Sequence, residues 1–493
     1  MGHLFFMSAK KREKQIGQVF TPDFIVNRML DSVGYTVKTD ILNKHIIDNS
    51  CGNGAFLAQV VERYLKTSLA CNHDRQAIVN GLETYIHGID CDDIAVSQCI
   101  LRLNDIAKRY DVNNVVWDIN YGDTLEIRKY DAMMDYVVGN PPYVRVHNLN
   151  ESYDAVKRFQ FAEGGMTDLY LVFFEIGFNM LADNGRMCYI TPSSWINSVA
   201  GMPLRKSVVA NRNLQLLIDL GHYQPFEGIT TYTMISLFEK GKETDLFKYY
   251  TLDAEGEKFV DYIDYSDCII DGNIYLAEKD TLQNINEIKT LKTDKYVRVK
   301  NGFATLADKS FIGDNIPDTF ITIPIIKSST AKWTKCLFPY DKQGKPLSYD
   351  TLFSDNIVRE HFNKEKESIL KGKPEYDGWY LYGRTQALSD VWKKKLSLNS
   401  LVRNPDDVKI VEIPEGCGMY GGLYIIGQLD ISTAKDLLMT EEFISYVKSL
   451  KKYKSGGYYT FNSRDVEQYL NYKLYKINNH GQQEISKSNL KLF

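Results

Sequence analysis

The sequence predicts an α/β protein whose first half holds a mostly parallel β-sheet and whose second half is a separate α+β region. Between residues 40 and 240, short apolar runs that often end in an acid alternate with segments of helical apolar spacing. This alternation is typical of βαβ units. After about residue 245, helical periodicity weakens, and short strand-like runs are broken by Gly, Pro, Asp and Asn.

Each element of the first half has its own signal. Continuous apolar runs of three to six residues predict buried strands, and apolar residues three or four apart predict helices. In the first helix, Thr21 is expected as the N-cap and Pro22 at the first helical position. The predicted strands are residues 46–48, 86–90, 136–139, 187–190 and 229–239, and the predicted helices are residues 23–30, 55–65, 94–103 and 168–180.

The second half predicts strands near residues 320–324 and 423–426 and helices near 280–292, 354–370 and 440–450. Tyrosines are frequent there, beside Lys and Arg. Such neighbours suit base stacking and phosphate contact in a nucleic-acid cleft, but they equally suit an ordinary core and surface. The tyrosines concerned include Tyr376, Tyr380, Tyr382, Tyr420, Tyr424, Tyr453, Tyr458 and Tyr459.

Composition places the 493-residue chain among ordinary globular proteins, since 44% of it is hydrophobic and its net charge is −4. No run of 18 apolar residues occurs, and the apolar segment at residues 4–7 is too short for a signal peptide. We therefore expect a cytoplasmic protein without a membrane span. The eight cysteines form no CxxC pair, so neither a structural zinc site nor any other metal is expected.

The weak acidity means that any nucleic-acid site must be a local patch. The best candidate by sequence is the segment from residue 451 onward, where eight Lys and Arg face three Asp and Glu. Neither half of the chain is basic overall. A DNA-binding role therefore rests on motifs rather than on net charge.

A glycine turn follows the strand at residues 46–48. Asp48 precedes Cys51-Gly52-Asn53-Gly54, and a helix begins directly afterwards. The glycines permit a tight turn and close approach of a ligand to the backbone. The segment fits neither the phosphate loop nor the GxGxxG fingerprint, and Asp48 would repel a pyrophosphate but attract an ammonium group. Two glycines alone also suit an ordinary strand-to-helix turn.

Two further acids follow strands in the same way. Asp90 ends the strand at residues 86–90, where a carboxylate can accept both hydroxyls of a ribose. Gly122-Asp123 has the same strand-end spacing, and an Asp there can accept from the amino group of adenine. Acids often end strands for solubility alone. Three at successive strand ends indicate a shared ligand.

The segment Asn140-Pro141-Pro142-Tyr143 follows the apolar strand at residues 136–139. Two prolines fix the backbone and remove two donors, so the carbonyl groups stay free to accept. Asn140 adds a side-chain carbonyl and Tyr143 a flat face. Together they fit a planar group that bears an NH2, held by Asn140 and the Pro141 carbonyl and stacked on Tyr143.

In this order, residues 17–22 (GQVFTP), 48–57, Asp90, 122–123 and 140–143 resemble the gamma-class adenine-specific DNA methyltransferases of restriction–modification systems. The resemblance covers about residues 14–240. It implies a Rossmann-like methyltransferase domain over 1–243, with a mostly parallel seven-stranded sheet, and an α+β target-recognition domain that binds DNA over 244–493. The sequence departs from the commonest family pattern at Asn49, where Pro is usual, and at Asn53, where Ser is common.

The resemblance implies S-adenosylmethionine as cofactor, S-adenosylhomocysteine as product and no metal. It assigns Thr21 to the methionine part of the cofactor and Asp48 to its ammonium, and it assigns Asp90 to the ribose. The carried-over set is Thr21, Asp48, Cys51, Gly52, Gly54, Asp90, Gly122 and Asp123 for the cofactor and Asn140, Pro141, Pro142, Tyr143 and Phe226 for catalysis. Phe226 would stack on the far face of the flipped adenine, and Tyr232 is its rival for that position.

The implied reaction is direct methylation of adenine N6 in duplex DNA, by the modification enzyme of a restriction–modification system or by an orphan methylase. Double-stranded DNA is the expected partner, and a restriction endonuclease that acts separately stays open. Two alternatives remain. The same NPPY motif serves methyltransferases of RNA or of a protein glutamine, and a specificity protein without activity would bind DNA only. The implied location is a bacterial or archaeal cytoplasm, with the enzyme acting at the nucleoid.

Overall fold

The structure is a computed structural model that describes residues 21–146, 153–163, 167–226, 230–292 and 295–489. Helices and strands alternate through the first part of the chain, as the sequence predicts. None of the helices within these ranges has both the length and the apolar character that crossing a bilayer requires.

The chain divides into two compact units, Met1–Gln283 and Asn284–Phe493. The predicted boundary between residues 243 and 244 falls inside the first unit, because the next strand, Leu246–Asp253, pairs in parallel with a strand of that unit's sheet. Residues at the start of this strand are alternately exposed and buried. Half-exposed strands of this kind lack the continuous apolar runs of the earlier strands. This explains why the sequence pattern changes near residue 245 although the first unit continues.

One large sheet organises the first unit. Within the described residues its order is β3-β2-β1-β4-β5-β7-β6-β8-β9. Neighbouring strands are parallel except where β7 and β9 pair. The predicted mostly parallel sheet of seven strands is therefore present as β1 to β7, and a hairpin of two strands extends it. The strands are β1 Ile46–Asp48, β2 Ile86–Asp90, β3 Asp118–Tyr121, β4 Met134–Gly139, β5 Leu181–Pro192, β6 Leu214–Asp219, β7 Thr233–Glu239, β8 Leu246–Asp253 and β9 Gly256–Asp264, and a separate small pair is β10 Ile269–Ile270 with β11 Asn273–Ile274.

Helices connect these strands and supply apolar side chains such as Ile25, Leu57 and Leu103 to the core beside Ile46 of the sheet. Both β1 and β2 are buried along their whole length, as expected for parallel strands covered on two faces. The helices are α1 Asp23–Val33, α2 Ala55–Ala70, α3 Arg75–Tyr85, α4 Asp93–Arg109, α5 Tyr153–Val156, α6 Leu169–Met180, α7 Met202–Asn211 and α8 Tyr265–Cys268, and α9 Lys279–Thr290 contains the division between the units.

The strand order places a ligand crevice at β1. This strand lies between β2 and β4, with Asp48 beside Gly88 on one side and Val138 on the other. The chain leaves β1 towards β2 and later returns on the opposite side as β4. Ligands of open α/β sheets bind at the carboxyl edge of such a switch point.

Three small sheets and six helices make up the described part of the second unit. Within it, the sheet orders are β12-β19-β15-β17, β14-β13-β18 and β16-β21-β20. The strands are β12 Val297–Asn301, β13 Thr322–Lys327, β14 Lys332–Leu337, β15 Lys395–Leu398, β16 Leu401–Val402, β17 Ile410–Ile413, β18 Gly418–Tyr420, β19 Leu423–Gly427, β20 Tyr453–Lys454 and β21 Tyr458–Thr460. The helices are α10 Asp308–Phe311, α11 Tyr349–Phe353, α12 Asn356–Leu370, α13 Ile431–Leu438, α14 Glu441–Ser449 and α15 Ser463–Asn489.

Aromatic packing dominates the core of the second unit. The ring of Tyr382 lies 5.2 Å from that of Phe303 and 5.1 Å from that of Tyr340. Tyr424 is also buried, and its hydroxyl donates to Asp390. Many tyrosines that the sequence offers for base stacking therefore belong to the core, whereas Tyr376 is exposed.

Candidate functional site

The carboxyl edge of the first sheet brings the three strand-end acids to neighbouring loops. Asp48 ends β1, Asp90 ends β2, and Asp123 follows β3 by two residues. Backbone hydrogen bonds join these loops, since Cys51 N donates to Ile89 O and Gly122 N donates to Asp90 O, both at 2.9 Å. The structure therefore gathers these residues at one edge of the sheet, where the strand order predicts a ligand crevice.

Asp48 is a buried carboxyl that lacks a cationic partner within the described residues. Its exposed fraction is 1%, and its Oδ1 accepts a hydrogen bond of 3.0 Å from Ser50 N. Burial raises the pKa of Asp48 to about 8, and repulsion by Asp90 adds to the rise. The side chain is also closely approached, because a Cβ on Gly139 would lie 2.8 Å from Asp48 Oδ1. The ammonium group of a ligand would supply the cationic partner that Asp48 lacks and would favour its ionised form.

The turn after β1 is formed by backbone atoms, and its thiol points away from the crevice. Gly52 and Gly54 have φ values of 51° and 82°, which glycine adopts without strain. A Cβ on Gly54 would lie 2.6 Å from Cys99 Sγ in α4. Cys51 is buried against Cys99, which together with burial raises the pKa of the Cys51 thiol well above its usual value. The Cys51 sulfur is thus packed in the interior of the unit beside Cys99.

Asp90 holds this turn in place. Its Oδ2 accepts from Gly52 N at 2.8 Å and its Oδ1 from Asp92 N at 2.9 Å. Burial raises the pKa of Asp90. Cys91 N also contributes a backbone hydrogen bond to this carboxylate. Its two oxygens have four lone pairs in all, so acceptor capacity remains for a ligand hydroxyl.

Asp123 is half-buried in the loop after β3. Its Oδ1 accepts from Leu125 N at 2.9 Å. Its Oδ2 has no hydrogen-bond partner within the described residues. Asp123 is thus able to accept a further hydrogen bond from a ligand amino group.

Asn49, at which the sequence departs from the commonest family pattern, has a structural role. It is fully buried. The Tyr189 hydroxyl donates to its Oδ1 at 2.9 Å, and Thr124 Oγ1 donates to its backbone oxygen at 2.7 Å. Asn49 therefore ties the β1 loop to β5 and to the Asp123 loop. The one hint in the sequence is a polar residue directly after an apolar strand.

Asn140 has one satisfied end and one unsatisfied end. Its Nδ2 donates to Thr21 Oγ1 at 3.1 Å, while its Oδ1 is buried without a hydrogen-bond partner. Thr21 does not cap helix α1, contrary to the prediction. Pro22 occupies the N-cap position instead, and no side chain caps the helix. The Thr21 hydroxyl lies beside Asn140, and this explains the missing cap.

The remaining NPPY residues line the same loop. Pro141 is buried, and Pro142 and Tyr143 are half-buried. The Tyr143 hydroxyl donates to Ile190 O of β5 at 3.2 Å, and burial raises the pKa of Tyr143 well above its usual value. This hydrogen bond fixes the ring at the end of β4.

The two aromatics considered for the far face of a base differ in exposure. Phe226 is 5% exposed and packs in the hydrophobic core beside Leu220. Tyr232 is half-buried, and its ring meets that of His222 edge-on at 5.6 Å. Tyr232 therefore has the more accessible ring.

Parts of two predicted motifs lie outside the described residues, namely residues 17–20 of the opening motif and 227–228 after Phe226. In the part of the chain that the structure does describe, no three His, Cys, Asp or Glu side chains are arranged to hold a metal ion. The candidate site is thus defined by Thr21, by the three acids and by residues 140–143.

Comparison with known proteins finds similarity to restriction–modification methylases. Residues 66–226 match the Eco57I restriction-modification methylase family. This segment contains Asp90, Asp123 and Asn140 and begins after the Asp48 loop. The type II restriction enzyme and methyltransferase RM.Eco57I of Escherichia coli is 26% identical over 79% of this chain and 51% of its own length. The type II methyltransferase M.BstVI of Geobacillus stearothermophilus is 28% identical over 44% of this chain and 41% of its own.

The chain spans about half the length or less of these curated relatives. Among solved structures, the type IIL restriction-modification enzyme MmeI in complex with DNA shares the fold, with a TM-score of 0.56 and 12% identity over 92% of this chain and 66% of that chain. The DrdV–DNA complex gives a TM-score of 0.53 and 12% identity over 90% and 54%. Through residues 66–226, the chain is therefore similar to the Eco57I restriction-modification methylases, and the curated proteins that it resembles include type II methyltransferases.

Proposed function

We propose that the first unit transfers a methyl group from S-adenosylmethionine to N6 of an adenine in duplex DNA, as a modification enzyme of the restriction–modification type. The observation that carries the proposal is the buried Oδ1 of Asn140, which lacks a hydrogen-bond partner. Leaving such an acceptor empty costs about 1–3 kcal/mol. An exocyclic amine that enters the crevice supplies the missing donor.

The crevice has the side chains that the cofactor needs. Asp48 would face the ammonium of the methionine part, and the turn at Gly52 and Gly54 would lie beneath it. Asp90 would accept from the ribose hydroxyls, and Asp123 from the adenine amino group. Bound S-adenosylmethionine supplies an electrophilic methyl group on a sulfonium.

Asn140 and the Pro141 carbonyl would act on the target amine. Both accept its hydrogens, which draws the nitrogen lone pair out of conjugation with the ring and stabilises the positive charge that develops on the nitrogen. Thr21 is a positioning residue in this scheme, because its hydroxyl accepts from Asn140 Nδ2 and so leaves Oδ1 as the end of the amide that is free to accept from the amine. The carboxamide orientation is thus set before substrate arrives.

Capture of the base would depend on aromatic faces. A base in duplex DNA cannot reach this crevice unless it is flipped out, at a cost of a few kcal/mol. Stacking on Tyr143, and on Phe226 or Tyr232 from the other side, offsets about 1–3 kcal/mol per base. Tyr143 is already held by Ile190 and therefore needs no reordering.

The relatives support DNA as substrate. Their names include type II methyltransferases and a restriction enzyme, and MmeI and DrdV were solved with DNA. We propose that the second unit contributes target recognition. A separate restriction endonuclease is the partner that this scheme implies for the cell.

The test is methyl transfer from deuterium-labelled S-adenosylmethionine to duplex DNA, followed by digestion and mass spectrometry of the nucleosides. Labelled N6-methyldeoxyadenosine is the expected product, and single-molecule sequencing of the same DNA gives its sequence context. Labelled N4-methyldeoxycytidine would overturn the assignment to adenine. Label on RNA or on protein glutamine but not on DNA would favour the alternative substrates of the NPPY motif.

A further inference from the structure

The hairpin of β13 and β14 in the second unit ends in a lysine-rich turn. The proposed methyl transfer does not use the positive charge of this turn. Residues 319–340 contain three lysines and no acid. Two of them, Lys327 and Lys332, close the turn between β13 and β14. We call residues 327–332, together with Lys409, the lysine tip.

The lysine tip brings three ammonium groups together. Lys327 and Lys332 are direct cross-strand partners, so their Cα atoms lie about 4.5–5.5 Å apart. Lys409 joins them, because its Nζ donates to Ser329 O in the turn at 3.1 Å. All three side chains are exposed, and none forms an ion pair within the described residues. Like charges placed opposite each other destabilise a sheet, which points to an anionic ligand.

The basic tail predicted from sequence, from residue 451 onward, has no comparable surplus of unpaired positive charge over much of its length. Within the described residues, Lys452 pairs with Asp465, and Lys473 pairs with Glu442. Lys476 likewise pairs with Glu287. Asp465 of the tail itself and two acids from elsewhere in the unit therefore neutralise part of the tail, whereas the lysine tip keeps its charge.

Hydrogen bonds fix the backbone of the turn between β13 and β14, and part of the turn is exposed to solvent. Backbone N–H groups of Thr330 and Ala331 donate to Lys327 O, and Ser328 N donates to Tyr420 O at 3.0 Å. Ser328 is 1% exposed and packs on Gly422, where a Cβ would lie 2.6 Å from its Oγ. Ser329 and Thr330 remain exposed. The lysine tip thus exposes ammonium and hydroxyl groups on a backbone that hydrogen bonds hold in one conformation.

We propose that the lysine tip binds phosphates of the DNA backbone, which deepens and rests on the proposed DNA methyltransferase function. Lysine acts on phosphate as a point charge. Contacts of this kind position a duplex without reading its bases. A protein partner would need an apolar centre in its interface. The exposed side chains of the tip carry ammonium and hydroxyl groups, and the neighbouring Trp333, which is 43% exposed, does not by itself make such a centre.

The experiment compares full-length wild-type protein with K327Q/K332Q/K409Q and with a control of equal charge change, K345Q/K364Q/K373Q. The control lysines are exposed residues of the same unit that are not ion-paired within the described residues. Binding of a fluorescent duplex is measured by anisotropy between 50 and 200 mM salt. Each lost phosphate contact lowers the salt slope by about one. Across this range, wild-type affinity should therefore fall about 40-fold more than that of the tip variant.

Several outcomes decide the inference. Three results support it together. The tip variant loses affinity equally for duplexes of unrelated sequence, the control variant keeps the wild-type salt slope, and K327R/K332R/K409R recovers the wild-type affinity and slope. A tip variant with the wild-type slope overturns it, even while methyl transfer by the wild type continues. Wild-type protein that binds no duplex and methylates no DNA overturns the proposed function as well. Thermal melting of all variants checks that the fold is kept.

Discussion

The proposed chemistry of the candidate site depends most on Asn140. Its Nδ2 donates to Thr21, and its Oδ1 is buried without a hydrogen-bond partner. The NPPY motif predicts this residue and its acceptor role. The hydrogen bond to Thr21 lies beyond sequence reasoning, since 119 positions separate the two residues. Local propensity assigns Thr21 to a helix cap, and a tertiary contact replaces that assignment.

We expect Asn140→Ala to lower kcat for methyl transfer by about 10²–10³, the usual effect of removing one group that stabilises transition-state charge. Cofactor affinity should stay near wild type, because Asn140 lies outside the proposed cofactor contacts. Single-turnover kinetics and calorimetric titration with S-adenosylmethionine measure the two quantities. Tyr143→Ala is the comparison, and it should mainly weaken capture of the base. Full methylation by Asn140→Ala would contradict the catalytic assignment.

Asp48 should make stability depend on pH. Its folded-state pKa of about 8 lies above the ordinary value of 3.8. Between these values the folded protein keeps a proton that the unfolded chain has released, so this carboxyl lowers the free energy of unfolding as pH rises from about 4 to 8. Urea unfolding of wild type and Asp48→Asn across that range measures the effect. The advantage of the variant should grow with pH, and a constant difference would contradict the assignment.

Tyr189→Phe should destabilise the first unit by about 1–3 kcal/mol, because it leaves the buried Oδ1 of Asn49 without its donor. Tyr121→Phe removes the same hydroxyl from a side chain that is 63% exposed and is the matched control. Chemical denaturation compares the two variants. Equal stabilities would mean that the Asn49 contact adds nothing.

At the scale of elements, continuous apolar runs made β1, β2 and β4 predictable. β3 gives a weaker signal, since it has the sequence Asp-Ile-Asn-Tyr and a single buried residue. The change of texture near residue 245 predicts that β8 and β9 belong to the second region, whereas they extend the first sheet. Their half-exposed residues hide this from the sequence. Burial on both faces therefore decides which strands a sequence reveals.

The turn after β1 gives a prediction at this scale. Gly54→Ala should destabilise the protein more than Gly272→Ala, although both glycines have positive φ. Strain costs about 1–2 kcal/mol at either site. Only at Gly54 does the new Cβ also meet Cys99 Sγ, at 2.6 Å, whereas nothing lies within 4 Å of Gly272. Thermal melting measures the difference, and Cys99→Ala in the Gly54→Ala background should recover part of it.

At the scale of the molecule, the division into units is the feature that sequence texture misplaced. The first unit extends to Gln283. The strand-end acids and NPPY could be read from the sequence because each follows a strand in a short motif. The burial of Phe226 and the pairing of tail lysines could not, because both depend on residues distant in sequence.

A fragment of residues 1–278 should fold, and one of residues 1–243 should not. The shorter fragment loses β8, whose Phe247 and Tyr249 are buried, and leaves the hydrogen-bonding edge of β6 open. Open edges of this kind promote aggregation. Size-exclusion chromatography and circular dichroism distinguish the outcomes. A monomeric, cooperatively melting 1–243 fragment would restore the boundary predicted from sequence.

The hydrogen bond between Thr21 and Asn140 also has a consequence for synthesis on the ribosome. Thr21 is made 119 residues before its partner, and Asn140 directly follows β4, which pairs in parallel with β1. Non-local pairing of this kind forms late and slowly. A nascent chain that has not completed β4 therefore cannot orient Asn140, and the proposed methyl-transfer site is complete only when that strand has joined the sheet.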